Sequence, residues 1–284
     1  MVPPEPPPPD SERPILAQQG SEHAGVEPGA AARAEGAEAE GAGGAPEASD
    51  RVRSEWLRRV EAEYRSAAVT QHLTLWLIQI GASPDLIAAG LRIVEDELAH
   101  AELSYEVYQD AGGTEAPHLV REALGLHRTQ TEPLELDVLR SGVDLFCLGE
   151  TVAVPLFKEL REGCHVPSAR RALDRVLVDE VRHRDFGWML AGWLFDSPRR
   201  EEYRRLVQAE LPRMFTRLRR AYAPKGAEAE RQIGESERAW GLMPRARYGE
   251  ILERAVTRDY VPRFEPLGVD ALTAWQSELG AQLS

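Results

Sequence analysis

The sequence predicts an all-α protein, and three observations carry that expectation. From about Val52 the apolar residues recur at spacings of three and four, as in Leu57, Val60, Tyr64, Ala67, Ala68, Leu75 and Ile78, which is the period of one helix face. Glycine and proline punctuate the longest runs, at Gly81-Ala82-Ser83-Pro84, Gly112-Gly113 and Gly163-Cys164-His165-Val166-Pro167. Two of the runs carry a Glu and a His three residues apart, and on a helix that spacing puts both side chains on one face.

Residues 1 to 50 come before any of this. They hold no aromatic residue, ten acidic and two basic residues, and much Pro, Ala, Gly and Glu. Such a segment cannot bury enough apolar surface to offset its ordering entropy, so it is predicted as a disordered acidic tail. A first helix then runs from about Val52 to Gly81, and a second from Pro84 to Asp110. The stretch that follows, with Pro117, Gly125 and Pro133, reads as an irregular crossover holding a short helix at Leu119 to Leu124. A third helix is expected over Leu134 to Glu162 and a fourth over Ser168 to Phe195. Residues 197 to 284 read as a helical extension packed on the rest: Arg199 to Tyr222 with a kink at Pro212, Ala227 to Trp240, Arg245 to Tyr260, and a short helix from Asp270.

Composition narrows the function. The 284 residues carry a net charge of −13, and almost all the basic residues are Arg. No basic excess exists to hold phosphates, so nucleic acid is not an expected partner. The longest apolar run, Leu73 to Ile80, is far shorter than a membrane span, and no secretory signal pattern opens the chain, so a cytoplasmic protein is expected. Cys147 and Cys164 lie too far apart along one helix to form a disulfide, and no Cys-x-x-Cys occurs.

The two histidine-bearing runs match beyond the motif. Both read Asp-Glu-x-x-His, at Asp96-Glu97-Leu98-Ala99-His100 and Asp179-Glu180-Val181-Arg182-His183, and in both a proline stands sixteen residues before the histidine. A third match lies upstream: Glu63 precedes the first turn and Glu150 the second. At 1.5 Å rise per residue, Glu150 sits about 20 Å before its turn and Glu180 with His183 about 20 to 24 Å after it. The corresponding distances for Glu63, and for Glu97 with His100, are about 27 Å and about 20 to 24 Å. Antiparallel pairing brings each set level within one turn.

This arrangement resembles the ferritin-like di-iron carboxylate superfamily, whose four-helix bundles use one Glu from each of two helices and Glu-x-x-His from each of the other two. The resemblance covers residues 52 to 196, and Gly149-Glu150-Thr151-Val152-Ala153 with Ile80-Gly81-Ala82-Ser83-Pro84 is similar to uncharacterised bacterial ferritin-like domain proteins. It implies a bundle with a long crossover between its second and third helices. It also implies metal ligands at Glu63, Glu97, His100, Glu150, Glu180 and His183, holding two Fe ions, or Mn, or a mixed Mn/Fe pair. Four carboxylates balance two divalent cations, which removes the cost of burying four bare anions. Asp96 and Asp179 stand nearly on their histidines' faces and read as acceptors for the outer ring N–H. By resemblance to di-iron monooxygenases each Asp would serve the histidine of the opposite motif. Arg182 fits that pattern, whereas Ala99 departs from it and leaves one side of the hydrogen-bond layer incomplete.

Periodicity nominates a cavity beside the ligands, with Ser66, Ala67, Thr70 and Thr74 near the face of Glu63 and Cys147, Val154 and Phe157 near that of Glu150. Small and hydroxyl groups there would leave room for O₂ or a small substrate, although Cys147 also reads as a small buried hydrophobe. Tyr108 and Trp188 are candidates for carrying electrons or for core packing. His72 points away from the face of Glu63, and His118, His127 and His165 lie in connections. The function expected is an oxidoreductase that uses O₂ or peroxide to oxidise or hydroxylate a small substrate, with a reductase and a homodimer as candidate partners. Iron binding or storage is one alternative, and a metal-free helical interaction module is another.

Overall fold

A computed structural model describes residues 45 to 282, with side chains to 277, and every regular element among them is helical. The first six α-helices are α1 (Asp50–Gln79), α2 (Pro84–Asp110), α3 (Leu134–Ser141), α4 (Thr151–Glu162), α5 (Pro167–Phe195) and α6 (Arg200–Tyr222). Four more follow: α7 (Glu235–Ala239), α8 (Arg245–Ala255), α9 (Val261–Phe264) and α10 (Ala271–Gln282). Most of the predicted acidic tail lies outside the described residues.

Residues 45 to 50 do not behave as tail. Ser49 caps α1, accepting from the Val52 N–H at 3.3 Å, and Ala48 is buried. Trp240 Nε1 donates to the Pro46 carbonyl at 2.9 Å and Ser236 Oγ to that of Glu47 at 2.6 Å. The composition of residues 1 to 50 hides this, because the partners stand nearly two hundred residues away on α7 and the turn that ends it.

α1 packs along α2 through the turn at Gly81, which takes φ 73° and so needs no Cβ. Close approach is possible because Gly90 on α2 faces Thr74 on α1; a Cβ there would lie 2.5 Å from Thr74 Oγ1. α5 packs against α4 on one side and α2 on the other. Contacts across the second seam run in opposite senses, Arg171 with Glu106, Asp179 with His100 and His183 with Asp96, so α2 and α5 are antiparallel. With α4 antiparallel to α5, α2 and α4 run the same way, and residues 111 to 133 make the crossover this requires. Only a turn of 3₁₀ helix, Arg121–Ala123, forms where a short helix was expected. His72 accepts from the Leu126 N–H at 3.0 Å through Nδ1 and meets Trp76 edge-on, so it pins the crossover. Arg128 and the Thr129 N–H then fix the loop to Asp137 on α3.

The predicted third helix is interrupted. Between α3 and α4 the residues Gly142–Glu150 form a π-helical segment, so Glu150 ends a stretch whose register differs from an uninterrupted α-helix. α5 presses on this segment at Gly187, where a Cβ would lie 2.7 Å from the Phe146 carbonyl carbon and 2.9 Å from the Cys147 nitrogen. The extension also departs from expectation. α6 spans the expected residues with Pro212 inside it, but Ala227 to Trp240 gives only a 3₁₀ turn and the short α7, with Gly226 at φ 85° before the turn and Gly234 interrupting the run. A second π segment, Val256–Tyr260, joins α8 to α9. No helix among the described residues is long and apolar enough to cross a membrane.

Candidate metal centre

The four helices bring six side chains to one level inside the protein. Glu63 comes from α1, Glu97 and His100 from α2, Glu150 from the end of the π segment, and Glu180 and His183 from α5. They fall into two groups, Glu63 with His100 and Glu180, and Glu97 with Glu150 and His183, and within each group one ligand atom per residue lies within 4.8 Å of the others. No residue belongs to both. The histidines are fully buried and their rings stand 5.7 Å apart.

The outer edge of each imidazole is occupied. His100 Nε2 meets Asp179 Oδ2 at 3.0 Å, and His183 Nε2 meets Asp96 Oδ2 at 3.4 Å, so each aspartate serves the histidine of the other helix. Arg182 donates to both aspartates, at 2.9 Å to Asp96 and 2.6 Å to Asp179. Arg175 does the same, reaching Asp96 at 3.1 Å and Asp179 through Nε. The gap expected at Ala99 is therefore filled from α5, one turn before Asp179, so both aspartates have two guanidiniums. Comparison of the two runs had a signal for Arg175: it stands four residues before Asp179 as Arg92 stands four before Asp96, so both read Arg-x-x-x-Asp-Glu-x-x-His. Burial opposes ionisation of Asp179, but hydrogen bonds from Arg175, His100 and Arg182 outweigh it and hold the carboxyl below its ordinary range.

The inner edge is different. His100 Nδ1, His183 Nδ1, Glu97 Oε2 and Glu180 Oε2 are buried without a hydrogen-bond partner. His100 Nδ1 lies 3.5 Å from Glu97 and 3.9 Å from Glu63, and His183 Nδ1 lies 3.6 Å from Glu97 and 3.8 Å from Glu180. Leaving one such group unpaired costs about 1–3 kcal/mol, more when it is charged. Burial, and then mutual repulsion, raises the carboxyls: Glu97 is pushed up to about 8, and Glu63 and Glu180 rise well above their ordinary value. Burial depresses His183 and favours its neutral form. The donor set therefore consists of two imidazoles and four carboxyl groups without a compensating charge, which is what hard and borderline divalent metals take.

The nominated cavity residues divide. Ser66 donates to Glu97 Oε1 at 2.7 Å, and Thr70 is buried with its hydroxyl unpaired. Thr74 instead donates back to the Thr70 carbonyl. Cys147 is turned to α5, its Sγ 3.3 Å from the Gly187 carbonyl oxygen, and burial raises its thiol pKa; it is a packed, un-ionised side chain. Val154 and Phe157 are half-buried, and Phe157 packs against the core. Tyr108 accepts from the Glu115 N–H at 2.8 Å and stacks under Gly113, and Trp188 donates to Thr151 at 2.9 Å against Phe264, so both have structural partners.

Two tyrosines of the extension reach this region, and neither was legible in the sequence. Tyr260, fully buried, donates to the Leu148 carbonyl in the π segment at 2.7 Å. Tyr222, at the end of α6, is partly exposed, yet its hydroxyl is desolvated and lies within the field of Glu150, Glu180 and Glu63, and its pKa rises for those reasons in that order. No protein family, curated protein or solved structure that was compared with this chain matches it.

Proposed function

We propose that this chain is a ferritin-like di-metal carboxylate protein, a four-helix bundle of α1, α2, the α3–α4 rod and α5, that binds two iron or manganese ions and acts as an oxidoreductase. One observation carries the reading: four buried nitrogen and oxygen atoms without partners converge on one space while the far side of each imidazole is tied to an aspartate. A purely structural network would pair those atoms with one another. Glu63, His100 and Glu180 would hold one ion, and Glu97, Glu150 and His183 the other. Four carboxylates against two divalent cations leave no net charge, which offsets the desolvation of the site.

The bound pair supplies two-electron chemistry toward O₂ or peroxide. The chain's own residues fix the conditions for it. Asp96 and Asp179, each paired with Arg175 and Arg182, accept the Nε2–H of His183 and His100 and so present both Nδ1 lone pairs inward. Ser66 fixes one oxygen of Glu97, leaving the other free to bind. Tyr222, kept as a neutral phenol by burial, stands within the field of Glu150, Glu180 and Glu63.

The test is iron loading of the full-length protein. Saturation near two Fe²⁺ per chain, with O₂ uptake that continues when reductant is supplied, is expected, and Glu150→Ala and His183→Ala should each lose at least one ion. Retention of tens of irons per chain in a large uniform particle would replace the reading with storage, and absence of any bound metal would remove it.

A further inference from the structure

Exposed apolar side chains are concentrated on one face. Among the described residues, nine large hydrophobic side chains are substantially exposed, and five of them, Leu91, Leu98, Val178, Val181 and Met189, lie on α2 and α5. Those helices supply under a quarter of the described residues, so the clustering is not what scattered surface apolars would give. A shallow groove of about 440 Å³ follows the seam between them, lined by Ala88, Ala89, Ile93 and Phe186 with Arg92 and Arg182.

The charges on this face are sorted by helix. α2 exposes Glu95, Glu102 and Glu106, while α5 exposes Arg171, Arg175 and Arg182. The cross-seam contacts of Arg171 with Glu106, Asp179 with His100 and His183 with Asp96 establish which residues stand level. By that register Glu102 is level with Arg175, Leu98 with Val181, Glu95 with Arg182, and Leu91 with Met189. The one reversal of sign obeys the same rule, because exposed Arg92 on α2 is level with exposed Asp185 on α5.

We propose that the α2–α5 face is the interface of a homodimer whose two-fold axis runs parallel to the helices. Such an axis keeps every residue at its level and lays α2 of one copy antiparallel on α5 of the other, an isologous contact. Glu102 then meets Arg175, Glu95 meets Arg182, Arg92 meets Asp185, and Leu98 meets Val181, each pair formed twice. A two-fold across the helices would instead set α2 on α2 and acid on acid, which like-charge repulsion disfavours. Two helices about 40 Å long and together about 20 Å wide give a footprint of roughly 800 Å² per copy, the size that specific dimers use. The contact also covers the Arg175 and Arg182 side chains, 48% and 43% exposed in one chain, and so shields the guanidiniums that hold Asp96 and Asp179.

Light scattering after size exclusion of the full-length protein should give a dimer, and Leu98→Glu combined with Val181→Glu should give a monomer with unchanged helical circular dichroism. Crosslinking tests the register without relying on that variant folding. Leu98→Cys and Val181→Cys proteins, mixed and oxidised, should yield a covalent dimer, whereas neither alone should, and native Cys147 and Cys164 are too buried to compete. A wild-type monomer at the highest soluble concentration, a dimer that survives the double glutamate variant, or crosslinking of either single variant by itself would each overturn the proposal. None of these readouts depends on metal, so failure of the metal reading would leave the result intact.

Discussion

Metal-free protein should become less stable as pH rises from about 6.5 to about 8, the reverse of ordinary acid denaturation. The perturbation is removal of metal by chelation and dialysis at each pH. Glu97 carries the effect: its carboxyl is pushed up to about 8 in the fold, from an ordinary value of 4.5 in the unfolded chain. A group whose folded pKa is raised stabilises fully below its unfolded pKa and loses that contribution as pH climbs through the folded value. At about pH 6.5 the unfolded chain has already given up the proton that the folded chain retains. Carrying the linkage on to about pH 8 removes roughly 1.5 kcal/mol for Glu97 alone, and Glu63 and Glu180, raised for the same reason, add to it. His183 has a depressed folded pKa, so its own linkage acts mostly below about pH 6.5; the half-protonated unfolded imidazole offsets only about 0.4 kcal/mol at the start of the window. Urea unfolding followed by circular dichroism at fixed pH supplies the free energies. With metal bound the carboxylate slope should vanish, because binding requires deprotonated carboxylates and the unfolded chain has already released the same protons in this window. Stability of the metal-free protein that is flat or rising over this range would refute the buried-carboxylate argument, and Glu97→Gln should flatten the slope if that argument is sound.

Three further outcomes are expected. Tyr260→Phe removes the hydrogen bond to the Leu148 carbonyl and should cost about 1–2 kcal/mol in urea unfolding, with metal analysis showing weaker binding in the group that contains Glu150 and His183. Gly187→Ala forces a Cβ against the backbone of Phe146 and Cys147, which cannot yield as a side-chain tip would, so a loss of about 1–3 kcal/mol should appear, together with altered metal content. Removing residues 1 to 44 should leave the thermal midpoint unchanged, whereas removing residues 1 to 49 also deletes the α1 cap and the backbone carbonyls that Trp240 and Ser236 use, and should lower stability by about 1–2 kcal/mol.

How far the sequence could be read depended on whether a feature repeats within one helix or arises between distant ones. The helices and the six clustered side chains were legible because period, turn residues and the Glu-x-x-His spacing are local and occur twice, so each copy checks the other. The outer layer was legible in part: Asp96 and Asp179 sit inside the motif, while Arg175 acts from a turn outside it, where Arg92 stands at the equivalent position before Asp96 and extends the repeat. The π segment left no periodic trace over its nine residues, since a one-residue widening of the helix is set by what presses on it. Gly187 on α5 lets the neighbouring backbone approach that closely, and Tyr260, from more than a hundred residues downstream, donates to a carbonyl inside it. Glu150 stands at the end of this segment, so its placement among the six clustered side chains is decided by α5 and the extension as much as by its own helix. The C-terminal residues, in which no motif could be found, thus enter the site through two hydroxyls, one on the π segment and one in the field of three carboxylates. That dependence explains why a search for metal-binding patterns stops at Phe195 while the physical site does not.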